Sequence, residues 1–297
     1  MLAPVFRNLL QLRHVNFSTN PLGYNGMDEF CKAWKKLRHV SWLSLENAAV
    51  GCGSRCDPHR QKAATVNFMD SIRLFKDLEH LDLTNFPAPQ GCIDTCAHAL
   101  ADALGCNSNL RFLAVECGRW RRPTMHALMH ALSSHTRLLS LELCDSHRRY
   151  PRPQNGSCTE AVSAFAAGVL RFPSMAKLTC LSIRCSAEGA ATSALASALV
   201  VLTSLLSLDL HGLRVLDEVS SSALADGLRG LTQMTRLSIT RAGTKAPVAA
   251  PLAAALRNLN QLAFIALSVD FREPEGDDAV LEESRGLPPF TLSLIHI

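Results

Sequence analysis

The chain has 297 residues, 30 Lys+Arg against 26 Asp+Glu, a net charge of +4 and 47% hydrophobic residues. That balance excludes a disordered or low-complexity chain, and no apolar run approaches the roughly 20 residues of a membrane-spanning helix. The pI of about 8.5 is below the value above about 9 that marks a nucleic-acid-binding domain, so nucleic acid is not the expected partner.

The chain opens Met1-Leu2-Ala3-Pro4-Val5-Phe6-Arg7. It lacks the charged n-region, long apolar h-region and small-residue cleavage site of a secretory signal. The 11 cysteines are too sparse for a disulfide scaffold. Their odd number, without a signal, points to free thiols in a reducing, cytoplasmic compartment.

In chain order, short strands are predicted at Leu12-Val15-Phe17, Val40-Leu43-Leu45, Leu78-Leu81-Leu83, Leu110-Leu113-Val115 and Leu138-Leu141-Leu143. They continue at Leu178-Leu181-Ile183, Leu205-Leu208-Leu210, Met234-Leu237-Ile239 and Leu262-Ile265-Leu267. All follow Leu-x2-Leu-x-Leu, and their first positions are 28, 38, 32, 28, 40, 27, 29 and 28 residues apart. The three longer spacings read as the same unit carrying an insertion. A helix precedes each strand. Ten residues upstream stand Leu2, Phe30, Phe68, Leu100, Leu128, Gly168, Leu195, Leu224 and Leu252; six upstream stand Phe6, Trp34, Ile72, Leu104, Leu132, Phe172, Leu199, Leu228 and Leu256. These positions lie on one helical face, and only Gly168 departs from a large apolar side chain.

A unit of helix, turn and strand repeating every 28 to 29 residues resembles the ribonuclease-inhibitor-like class of leucine-rich repeats. The resemblance runs from Leu2 to about Val269. It implies an α/β solenoid of about nine repeats, a curved horseshoe with parallel strands on the concave face and helices on the convex face. It also implies protein binding without chemistry of its own and without a cofactor. The family's turn Asn or Cys, three residues after the last strand leucine, occurs only as Asn20; Asn47, Asn85, Cys117 and Cys185 stand one residue earlier. Residues 1–269 form the repeat domain on this reading. Residues 270–297 form an acidic C-terminal segment, with seven acidic residues and one Arg between Asp270 and Glu283. The half-repeat at the N-terminus, without a polar cap, suggests a piece of a larger protein.

Two surfaces are candidates for the partner. Positions between the strand leucines face the concave side, and there Glu46, Asp82, Glu116 and Glu142, with Trp42 and Phe112 beside them, form an acidic groove with little basic compensation. One rim carries Arg119, Trp120, Arg121 and Arg122 after the fourth strand and Arg148, Arg149 and Tyr150 after the fifth. Basic residues interleaved with aromatics suit an acidic protein segment, phosphate or nucleic acid, the last disfavoured by the mild overall charge. The insertions leave from the same edge, where arrays of this kind often bind.

Catalytic chemistry has little support. Cys52-x3-Cys56-x2-His59 lacks the second ligand pair of a zinc site, and no nucleophile motif or glycine-rich phosphate loop occurs. Repeats of this length with an acidic C-terminal segment also resemble GTPase-activating proteins for the Ran GTPase, which makes a small GTPase an alternative partner. The sensor or adaptor region of a larger intracellular receptor or ubiquitin-ligase subunit is the third reading.

Overall fold

The computed structural model describes residues 9–48, 58–86, 92–145, 157–187, 189–215, 218–244 and 249–270. Strands and helices alternate along the chain: β1 His14–Asn16, α1 Gly23–Trp34, β2 Trp42–Ser44, α2 Pro58–Ser71, β3 His80–Leu83, α3 Ile93–Gly105, β4 Phe112–Glu116, α4 Arg122–Leu132, β5 Ser140–Cys144 and α5 Ser157–Arg171. Then follow β6 Cys180–Arg184, α6 Ala190–Leu199, β7 Ser207–His211, β8 Arg214–Val215, α7 Glu218–Arg229, β9 Arg236–Thr244, α8 Ala249–Leu256 and β10 Phe264–Asp270. Nine strands pair in chain order, every pair parallel, and the two-residue β8 adds to the flank of β9. This is the leucine-rich-repeat solenoid expected from the period.

The register explains why the period had to be kept. Leu43, Leu81, Leu113, Leu141, Leu181, Leu208 and Leu237 are strand partners across the sheet, and all are buried. A one-residue slip would turn each leucine to solvent. Helix residues Phe30, Trp34, Phe68, Ile72, Leu100, Leu104, Leu128 and Leu132 close the core from the other side. No unit buries its apolar face alone, so stability is carried by neighbour interfaces. Strands about 4.8 Å apart facing helices that prefer about 8–10 Å force the stack into an arc with the strands inside.

The one gap in the helix columns has a steric cause. A Cβ on Gly168 would lie 2.7 Å from Met129 Cγ, so the α4 methionine fills the place that a leucine takes elsewhere. The turns after the strands come in two kinds. Thr19, Asn47, Asn85 and Gly212 occupy the left-handed region, with φ of 63°, 54°, 53° and 81°. Asn and Gly tolerate this conformation best. The equivalent positions in the middle of the array are Cys117, Asp145 and Cys185; Cys117 and Cys185 point inward, with their sulfurs 3.5 Å apart. The backbone ladder still continues into the turn, through Asn47 N to Thr84 O at 2.9 Å and Cys117 N to Cys144 O at 2.8 Å. The displaced Asn/Cys position therefore leaves the solenoid regular.

Two core polar residues replace the usual apolar side chain in adjacent units. Asn107 donates to the carbonyls of Ile72 (3.2 Å) and Ala103 (3.1 Å). His135 Nδ1 lies 3.0 Å from Ala131 O. Burial holds the His135 imidazole below its ordinary pKa, which keeps it neutral.

Candidate functional site

Parallel pairing places three columns of side chains on the open face of the sheet. On β1 to β5 the first is His14, Trp42, His80, Phe112 and Ser140. The second is Asn16, Ser44, Asp82, Ala114 and Glu142, and within the third Glu116 pairs Cys144. Period-two alternation puts Ser18, Glu46 and Thr84 in that third column as well. These columns contain four carboxylates and no Lys or Arg. The predicted groove residues Trp42, Glu46, Asp82, Phe112, Glu116 and Glu142 are thus brought to one face, and all are half-buried.

Each side chain is held. Asp82 Oδ1 accepts from Thr84 N at 2.9 Å, and its other oxygen is 3.4 Å from the Ser44 hydroxyl. Asn16 caps Ser18 N in the same way at 2.8 Å. Asn47 donates to Glu46 at 3.2 Å. One expectation needs correcting: Glu142 is not without a basic neighbour. Arg184 on β6 lies 3.2 Å from Glu142 and 3.4 Å from Asp209, bridging carboxylates on the strands either side of it. Glu142, 18% exposed, also accepts from the buried Cys144 thiol at 3.2 Å. The acidic half therefore ends at β5. Beyond it Arg184 and Arg236 reach the face.

The aromatic content of the face is larger than the sequence reading placed there. The Trp42 and His80 rings stack at 4.8 Å with planes 16° apart, and His80 and Phe112 stack at 4.1 Å and 5°. His14 adds a tilted contact to Trp42 at 6.4 Å. Burial between two rings lowers the His80 pKa, against the opposing field of Asp82. Farther along the same column Arg236 lies over the Phe264 ring at 4.3 Å. His14, His80, Arg236 and Phe264 were missed. The signal available was their common position two residues after the first repeat leucine, where only Trp42 and Phe112 had been singled out. At the far end the third column breaks, because the β9–β10 register shifts between Leu267 and Val269.

The rim is altered more. Trp120 is 5% exposed and belongs to the core. It lines a cavity of ≈ 30 Å³ with Met69, Phe86, Leu100 and Val115, far below the 300 Å³ or more of a small-molecule site. The turn after Cys117 folds the indole under α3 rather than out to solvent. Arg119 is half-buried and engaged, whereas Arg122 is exposed and opens α4. Arg121, 78% exposed, lies 3.7 Å from Asp94, whose carboxylate also accepts from Thr124 at 2.7 Å. Asp94 thereby offsets the cost of basic residues at the positive end of α4. Arg148, Arg149 and Tyr150 lie outside the described residues. Among the described residues no group of three or more His, Cys, Asp or Glu side chains is arranged to hold a metal ion, and no helix is long and apolar enough to cross a membrane.

No protein-family profile and no curated protein matches the chain. Solved structures do. TLR13 bound to ssRNA13 matches at 14% identity and TM-score 0.40, over 79% of this chain and 27% of that one. A Bacteroides fragilis protein matches at 14% and 0.40, over 82% and 68%. A Listeria monocytogenes internalin matches at 14% and 0.26, over 92% and 95%. This chain thus spans about a quarter of the TLR13 chain.

Proposed function

We propose that this solenoid is a non-catalytic scaffold for protein–protein recognition, and that its partner docks on the concave face over β1 to β5. The observation that carries this reading is the segregation of charge. A chain of net charge +4 presents four carboxylates and no Lys or Arg in the three columns of those strands, beside a stack of aromatic rings. Such a surface selects a basic partner and repels an anionic one. Among the described residues the rim offers Arg122 and the exposed part of Arg121 as a second contact, because Trp120 is committed to the core.

The test is affinity capture from the source cell, comparing the wild type with two variants. One carries Glu46→Gln, Asp82→Asn and Glu116→Gln, which keep the hydrogen-bond acceptors and remove charge. The other carries Arg119→Ser, Arg121→Ser and Arg122→Ser. Partners lost only from the carboxylate variant support the concave face; partners lost only from the arginine variant overturn it in favour of the rim. Addition of the scaffold to a Ran-type GTPase is expected to leave GTP hydrolysis unchanged, and acceleration would favour the activator reading.

A further inference from the structure

The ring column on the concave face is interrupted. His80 covers one face of Phe112. The opposite face looks along the sheet toward β5, where Phe112 pairs with Ser140. Ser140 is followed in the column by Cys180 and Ser207, then by Arg236. Three small side chains thus separate the outer face of Phe112 from Arg236. Among the described residues that face meets no ring or guanidinium.

The same column shows what fits beyond a phenyl ring. Arg236 and Phe264 are strand partners, and the guanidinium carbon lies 4.3 Å from the ring centroid. A planar cation over Ser140 would reproduce that contact on Phe112, one strand spacing of about 4.8 Å away. A carboxylate stands close to such a cation, since Glu142 lies two residues along β5 on the same face. Asp82 and Glu116 extend the negative field on β3 and β4. The His80 ring behind Phe112 is kept neutral by burial, so the stack offers π faces and no repelling charge.

We infer that the partner inserts an arginine side chain against the outer face of Phe112, over Ser140, where it extends the Trp42–His80–Phe112 stack. The occupant is an extended, arginine-bearing protein segment. The inference rests on the concave-face reading above and adds the chemistry of its central contact. Arginine suits the position better than lysine, because its flat, weakly hydrated guanidinium both stacks on a ring and reaches a carboxylate edge-on. A single-stranded nucleic acid could stack its bases there, but its phosphates would face the four carboxylates.

The experiment is fluorescence anisotropy on the full chain with four fluorescein-labelled probes. Three are twelve-residue peptides alternating serine with arginine, lysine or glutamate, and the fourth is a twelve-nucleotide oligouridine. The arginine peptide is expected to bind about tenfold tighter than the lysine peptide. Phe112→Ala and Phe112→Leu should each bring it to the lysine level, the leucine variant keeping apolar bulk without the ring. Glu142→Gln should weaken both basic peptides. Equal binding of the arginine and lysine peptides overturns the inference, as does an arginine preference that survives both Phe112 variants. Tighter binding of the glutamate peptide or of oligouridine overturns it too. The docking face is judged separately. Equal basic-peptide binding that the carboxylate variant abolishes, or no peptide binding with cellular capture still dependent on those carboxylates, removes only the stacked arginine and leaves the concave face standing.

Discussion

The imidazole of His80 lies flat against the phenyl ring of Phe112, with centroids 4.1 Å apart and planes 5° apart. The two residues are 32 positions apart in the chain and direct neighbours across the sheet. Their contact makes the concave face a stack rather than a row of separate side chains, and it gives His80 a measurable pH signature.

Burial lowers the pKa of both His80 and His135 below 6.5. Near and below pH 6.5 the unfolded chain therefore binds more protons than the folded one. The stability tied to the neutral rings is complete above 6.5 and is lost as the pH falls through the lowered folded values. Urea denaturation midpoints should fall between pH 7.5 and pH 5. His80→Phe, which keeps the stack without the titration, should reduce the slope; an unchanged slope would show that His80 is not a source of it.

Trp120 and Arg121 are adjacent in the chain and opposite in consequence. Trp120→Ala is expected to cost about 3–5 kcal/mol, as an aromatic core deletion does. Arg121→Ala removes an exposed contact to Asp94 and should cost no more than about 1 kcal/mol. Chemical denaturation of the two variants separates a core tryptophan from a rim tryptophan.

Helix spacing provides a third test. A Cβ at Gly227 would meet the Ala196 carbonyl oxygen at 2.5 Å, so α6 and α7 would have to separate. Gly227→Ala should therefore destabilise by about 1–3 kcal/mol. Gly168→Ala would bring its Cβ within 2.7–2.9 Å of Met129 Cγ, Cβ and Cε, of which the outer atoms can turn away and Cβ cannot, so its cost should be intermediate, and Gly230→Ala, with nothing within 4 Å, should be neutral or stabilising. Thermal midpoints in that order are the expected result; equal losses at all three sites would contradict the packing.

Arg184 occupies Glu142 and Asp209, so it competes with any incoming cation. Arg184→Ala should tighten binding of the arginine peptide by about two- to fivefold, in keeping with the small worth of exposed ion pairs. A weaker complex would place Arg184 itself among the partner's contacts.

The cysteines should differ sharply in reactivity. Burial raises the Cys31 thiol to about 11, and raises Cys96 and Cys144 further. Cys106 is exposed. Among the nine described cysteines, brief alkylation at pH 7.5 followed by peptide mass spectrometry should label Cys106 first. Cys117, Cys144 and Cys185 should react only after denaturation.

The repeat was legible from sequence because burial on one face, repeated in every unit, writes a period that inserted residues do not erase. The spacings of 38 and 40 lengthen the chain between strands, yet Leu43 still meets Leu81 and Leu141 still meets Leu181. The open face was legible in part. Alternation within each strand assigns Glu46, Asp82, Glu116 and Glu142 to that face, but it says nothing about partners on the next strand.

The amino-acid sequence by itself determined the solenoid, the direction each strand residue faces and the acidic character of the concave-face columns over the first five strands, since these follow from periodicity along a single chain. Only the tertiary structure decided that His80 is clasped between Trp42 and Phe112, that Arg184 spans Glu142 and Asp209, and that Trp120 turns inward. Each depends on residues 25 to 42 positions apart being set side by side, or on the direction of one turn. Local propensity does not record side-chain adjacency across a parallel sheet.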